Sequence, residues 1–373
     1  MKHRNPYRSR LCIILLIFFA AAFLLPAAQT GDSRLYFLAA ALPCGILFLL
    51  MLPSGFFSLD RPSVAAALTL CALGILAPAA SRPDEALSQG MLTVAALFFL
   101  IGGAVLVRSC RVSAPAAVVT AVCALVMLAY PMLFSFGSLS LAEGGMAMLV
   151  FSIAIFMAGR RRLPALAVSL IALLLMLLQG DLCDASVWIV TSVLIFWASS
   201  GSGLWSLISL LASGGLFAGM LLFSTVCVPS VPEEFLPRLA AIPLIPPEAA
   251  VEIVSPDSLF LLLGEQYGLI FLLCAILLLC VLLLCGASLA LHTRKAFHAV
   301  IALGAVLMFG LQALVYMLSL TGIVPLQAGT FPLLSADIPQ LCGEFFLVGL
   351  LSGVSARNEA DLDEDLRLSM LAH

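Results

Sequence analysis

The chain has 373 residues, 63% of them hydrophobic types and 10% charged, with a mean hydropathy of +1.19. A soluble globular protein is about half apolar and a quarter charged, so a water-soluble fold is excluded, as are disorder, collagen and a small disulfide scaffold. The net charge of −3 is small and dispersed and offers no footprint for nucleic acid.

Apolar runs broken by charge, Pro or Gly predict twelve helices, at 11–28, 35–55, 63–80, 89–107, 115–135, 142–159, 163–180, 184–200, 203–225, 258–290, 298–320 and 339–356. Lipid offers backbone groups no partners, so each span is expected to be helical. The short alternating segments of an outer-membrane barrel do not occur. The expected fold is therefore all-α: a polytopic membrane protein of about twelve transmembrane helices, forming a single integral membrane domain over residues 1–373. The basic first ten residues and the small residues at 26–28 also admit a signal-peptide reading of the first span, which leaves the rest of the topology unchanged.

Basic residues set the sidedness. With both termini cytoplasmic, fourteen of the seventeen Lys and Arg residues fall inside, leaving Arg34, Arg82 and Arg238 outside. The acidic tail, 357–373, is read as a solvated cytoplasmic end. Most of the eleven cysteines fall within spans, where a thiol behaves as a small apolar group.

Residues 226–257 stand apart as a large extracytoplasmic loop. They hold Pro229, Pro232, Pro237, Pro243, Pro246, Pro247 and Pro256, which would stiffen the loop into an extended cap with a short surface helix. A long ordered loop is more often functional than a spacer.

The outer face is poor in catalytic groups. His3, His292, His298 and His373 are all placed inside, so neither a Ser/His or Cys/His pair nor a zinc cluster can be assembled outside. Any extracytoplasmic base must be a carboxylate. Two outer acids are each followed by a second acid deeper in the same helix: Asp257 by Glu265, about 12 Å down, and Asp337 by Glu344, about 10 Å down, at ~1.5 Å per residue. Carboxylates at such depth usually face a cavity or a partner. Asp257 reads equally as a helix cap in Ser255-Pro256-Asp257 and as a catalytic group, and Glu265 as a buried hydrogen-bonding group or a participant in chemistry. Arg238 is the one basic residue of the large loop, where a surface pair with Glu233 or Glu234 is open to it.

The stretch from Asp257 through Gly264-Glu265 to Gly268 resembles the Thr-Asp-Phe-Ile-Phe-x-x-x-Gly/Ala-Glu-Glu-x-Gly signature of the shape, elongation, division and sporulation (SEDS) proteins, the FtsW/RodA/SpoVE group. A longer block is similar to that family's Gln-Ala-Leu…Gly-x-x-Pro…Thr-Leu-Pro-x-x-Ser: Gln312-Ala-Leu, Gly322-Ile-Val-Pro325, then Thr330-Phe-Pro332-Leu-Leu-Ser335. Gln179-Gly-Asp181-Leu182 resembles Gln-Pro-Asp-Leu-Gly, and Glu143 falls where the family has Pro-Ser-Glu-Leu-Ala-Lys. The chain departs from the pattern at Met146, in place of the lysine, and at Ala336-Asp337-Ile338-Pro339-Gln340, in place of Tyr-Gly-Gly-Ser-Ser. The Arg-Trp-Ile element of the first outer loop is missing, and five amino-terminal spans stand where the family has three.

The resemblance implies a divergent member with a family core of ten helices in the cytoplasmic membrane of a bacterium. It implies a peptidoglycan glycosyltransferase that polymerises lipid II on the outer face beside a class B penicillin-binding protein. The essential aspartate falls on Asp257, with Glu143, Asp181, Glu265, Gln312, Ser335 and Asp337 as substrate contacts alongside Arg238. Asp257 with Asp337 or Glu265 offers oxygen ligands to Mg²⁺ or Mn²⁺. Two other readings stay open: a non-catalytic SEDS-like scaffold of a division, elongation or sporulation complex, and a transporter or flippase of a lipid-linked sugar.

Overall fold

A backbone in lipid must bond to itself, and this one folds into packed helices. The computed structural model describes residues 17–24, 26–28, 31–51, 60–79, 81–110, 112–133, 141–223, 235–244, 259–324 and 329–371. Its helices are α1 (Ile17–Ala28), α2 (Ser33–Met51), α3 (Arg61–Leu76), α4 (Pro83–Ser109), α5 (Ala114–Leu133), α6 (Ala142–Ala158) and α7 (Arg162–Gln179). They continue as α8 (Leu182–Ser200), α9 (Gly203–Phe223), α10 (Phe235–Ala240), α11 (Leu259–Tyr267), α12 (Leu269–His292), α13 (Ala296–Leu320) and α14 (Ile338–Leu371). Among the described residues eight helices are long and apolar enough to cross a membrane. With α2, with the shorter α1, α3 and α6, and with α11 and α12 taken as one interrupted crossing, each of the twelve expected segments has its helix.

Burial sorts the helices into a centre and a lipid-facing shell. From Ser63 to Ala79 every residue is buried, and so are nearly all residues of α6, so α3 and α6 touch protein on all sides. Burial is 67% for the apolar window of α14 but 11% for that of α9, whose leucines face outward as lipid demands. Between apolar helices in lipid, close packing must replace the hydrophobic effect, and small residues permit it. The most extensive helix contact, α4 with α14, follows this rule at Gly103, Gly349 and Gly353.

The single span predicted over 258–290 is instead two helices. At ~1.5 Å per residue a continuous helix of that length would reach about 50 Å, well past the ~30 Å hydrocarbon. Gly268 breaks it, with φ 88° and ψ 172°, a conformation open essentially to glycine alone. Part of the large loop clasps the break. The Leu269 amide donates to the Pro243 carbonyl at 2.8 Å, and the Ile242 side chain lies over Gly264. Gly268→Ala is therefore expected to cost about 1–3 kcal/mol, read as a lower melting temperature in detergent; an unchanged melt would show that the break tolerates a side chain.

The predicted last span, 339–356, continues without interruption through the acidic tail as α14. The part of the large loop described, 235–244, contains the short helix α10.

Candidate active site

Three helices begin around one cavity. α6 starts at Ala142, α8 at Leu182 and α14 at Ile338, and their first turns or caps supply Glu143, Asp181, Asp184 and Asp337. Acids collect there because the amino end of a helix carries partial positive charge. The turn before α8 is set by Gly180, left-handed at φ 78°, after which the Asp181 carboxylate caps α8 by accepting from the Asp184 amide at 3.1 Å. With Gln312, Tyr316, Thr330 and Gln340, these residues line a cavity of ≈ 350 Å³.

The cavity wall is unusually polar for a membrane interior. Glu143 is 6% exposed and accepts a hydrogen bond from the Gln312 amide, itself 7% exposed. Burial pushes the Asp337 carboxyl above the usual carboxylate range, opposed by the Ile338 amide. The Gln179 amide leaves the wall to bond the Leu128 carbonyl at 2.7 Å, tying α7 to α5.

The loop from Gly329 to Asp337 forms one side, and a network fixes it. Gln340 donates to Thr330 and to Glu344 (3.3 Å) while accepting from the Ser335 hydroxyl (3.0 Å). The Ser335 hydroxyl also accepts from the Asp337 amide, and the Ser335 carbonyl from Gln89 of α4 at 2.9 Å. Glu344, completely buried, accepts from the Leu333 amide at 2.9 Å and so holds Leu333 at its left-handed φ of 63°. Phe331 stacks on Phe260 of α11, ring centroids 4.7 Å apart, and meets Tyr316 of α13 edge-on.

Of the seven substrate contacts predicted, four line this cavity: Glu143, Asp181, Gln312 and Asp337. The other three do not. Ser335 is 2% exposed and engaged within the loop. Glu265 and Arg238 meet each other in a two-pronged pair, 2.8 and 2.9 Å, which pins α10 to α11. Arg238 thus pairs with Glu265, while Glu233 and Glu234 lie outside the described residues. Asp257 lies outside them too; the next described residue, Leu259, opens α11. Among the described residues no group of three His, Cys, Asp or Glu is placed to hold a metal ion.

Asp337 lines the main cavity, and its neighbour Ala336 lines a smaller one of ≈ 170 Å³, whose wall also includes Arg82, Glu85, Gln89 and Leu259. Sequence reasoning did not single out Gln89, Asp184, Gln340 or Arg82 as site residues. The signal for Gln89 and Gln340 was a polar amide within an apolar segment, which in lipid marks a partner or a cavity.

The family described as cell cycle protein, FtsW/RodA/SpoVE, matches residues 249–360. Solved structures share the fold. A chain from work on the structural coordination of polymerization and crosslinking by a peptidoglycan synthase complex is 19% identical, with a TM-score of 0.61, covering 80% of this chain and 98% of that one. Two crystal structures of the Thermus thermophilus rod shape determining protein RodA also match. One, an aspartate-to-alanine mutant, is 20% identical, with a TM-score of 0.56 over 80% of this chain and 98% of its own. The other is 21% identical, with the same TM-score over 80% and 97%. No curated protein sequence matches. A family signature over residues 249–360 and a fold shared across 80% of its length make this multi-pass membrane protein similar to the SEDS proteins, the FtsW/RodA/SpoVE group.

Proposed function

We propose that the chain polymerises lipid II into glycan strands at the outer face of the membrane, with Asp257 as general base and a class B penicillin-binding protein as cross-linking partner. The observation that carries this reading is the convergence of Glu143, Asp181, Gln312 and Asp337 on one cavity beside the 329–337 loop. On the sidedness given by the basic residues, that cavity opens outward.

A sugar hydroxyl is a poor nucleophile, and a base must take its proton as it attacks the anomeric carbon. Carboxylates and amides on the cavity wall suit sugar hydroxyls, which both donate and accept. The departing lipid diphosphate is already anionic and needs charge stabilisation more than protonation. The several carboxylates of the main cavity repel it, so its place is the smaller cavity, where Arg82 stands with one carboxylate, Glu85, with which it pairs at 2.8 Å. Leu259, on the wall of that smaller cavity, follows Asp257 by two positions in the sequence.

One observation favours the scaffold reading. Met146 is fully buried where the family has lysine, so no cation reaches the site from that position. Purified protein given labelled lipid II separates the two. Strands that form with the native chain and fall by about a thousandfold or more with Asp257→Ala, on the scale of a lost general base with its contacts, support catalysis. Tight binding of the penicillin-binding partner with no strands from the native chain supports the scaffold.

A further inference from the structure

One hydrogen bond ties the 329–337 loop to a helix far away in sequence. The Gln89 side-chain amide of α4 donates to the Ser335 carbonyl at 2.9 Å, across 246 residues. Both residues are more than nine-tenths buried, so this carbonyl depends on the amide for its partner. The carbonyl belongs to the peptide that joins Ser335 to Ala336. Ala336 lines the small cavity and Asp337 the large one. The orientation of that one peptide therefore sets which way each residue faces.

Gln89 is firmly seated. Its own carbonyl accepts from the Thr93 hydroxyl at 2.9 Å, and that hydroxyl lies 3.4 Å from the Cys71 sulfur of α3. A β-carbon on the next residue, Gly90, would come within 2.7 Å of the Leu38 side chain, so α2 backs α4 at this point. On the loop, the Ser335 hydroxyl accepts from the Asp337 amide at 3.0 Å and closes a tight turn. Gln340 of α14 engages Thr330 and the Ser335 hydroxyl, whereas the Ser335 carbonyl answers to Gln89.

We propose that Gln89 is a positioning residue: by holding the Ser335–Ala336 peptide it keeps Ala336 on one cavity and Asp337 on the other, so that groups bound in the two stand in register. Its bearing on reaction rests on the polymerase reading above. Gln89 itself lines the small cavity, so whatever fills that cavity lies beside the amide that aims Asp337. A misplacement of about 1 Å between reacting groups costs up to about a hundredfold in rate.

The test compares the full chain in detergent with Gln89→Leu, which has similar volume and no donor, and with Gln89→Glu. With labelled lipid II, Gln89→Leu should lower kcat by about tenfold to a hundredfold while KM moves less than about threefold. Gln89→Glu adds a pH signature. A protonated carboxyl donates to the Ser335 carbonyl, and an ionised one only repels it. Its rate relative to the parent should rise about tenfold between about pH 8 and pH 5, while the relative rate of Gln89→Leu stays level. Arg82, Glu85 and Asp337 stand nearby in all three proteins, so their own titration divides out. Hydrogen exchange reads the same hold without substrate, and the Asp337 amide should exchange about tenfold faster in Gln89→Leu.

Unchanged exchange overturns the proposal. So does faster exchange with kcat intact, a loss confined to KM, or a level ratio for Gln89→Glu, which also decides the matter if Gln89→Leu does not fold. A native chain that makes no strands overturns the polymerase reading instead, and the exchange comparison still decides whether Gln89 sets the loop.

Discussion

Replacing Glu344 with alanine is expected to unseat the 329–337 loop and to abolish strand formation. The carboxylate is completely buried and receives the Leu333 amide at 2.9 Å. Without it a buried N–H is stranded, at a cost of about 1–3 kcal/mol. Leu333 also loses the contact that holds it left-handed, a conformation that itself costs about 1–3 kcal/mol in a residue other than glycine. Gln340 loses a partner at the same time, and Gln340 fixes Thr330 and Ser335. Glu344→Gln keeps the volume and one acceptor and should retain most of the stability. Thermal unfolding in detergent and lipid II turnover, measured on both variants, check this. An alanine variant that melts and polymerises like the parent would show that the loop holds itself.

Gly349→Ala is expected to be the most damaging single methyl in the bundle. A β-carbon there would lie 2.1 Å from the Leu100 carbonyl oxygen of α4, a backbone atom that cannot rotate away. The flanking glycines leave no slack: at Gly103 the nearest atom to an added β-carbon is the Phe346 carbonyl oxygen at 2.5 Å, and at Gly353 the Ala104 carbonyl oxygen is 2.9 Å away. The helices must part, at about 3 kcal/mol, the upper end of ordinary overpacking. Because Gln89 of α4 holds Ser335, parting α4 from α14 also shifts the cavity wall, so turnover should fall with stability. Gly102→Ala is the control. Its β-carbon meets nothing within 4 Å, and alanine favours a helix, so that variant should melt no lower than the parent. Equal melts for Gly102→Ala and Gly349→Ala would refute the close-packed seam.

The candidate site was partly legible because lipid makes polar residues conspicuous. Glu143, Asp181 and Gln312 stood out through the resemblance of their motifs, Asp337 as an acid at the outer end of an apolar run, and the cavity gathers all four. Glu265 and Glu344 stood out for the same reason, but depth alone does not separate a reactive acid from a structural one. Glu265 turned out to hold Arg238, and Glu344 to hold a backbone amide. Their partners lie 27 and 11 residues away in sequence, at distances no helical periodicity reaches.

The apolar pattern alone determined that the chain lives in a bilayer, roughly where its helices run, and which of their ends carry acids. Those properties follow from transfer between water and hydrocarbon, which acts residue by residue along the chain. Which acids share one cavity, where the tenth crossing breaks, and which glycines must stay bare were decided only by packing. Those depend on contacts between helices remote in sequence, and the hydrophobic pattern, nearly saturated in a chain this apolar, carries no record of them.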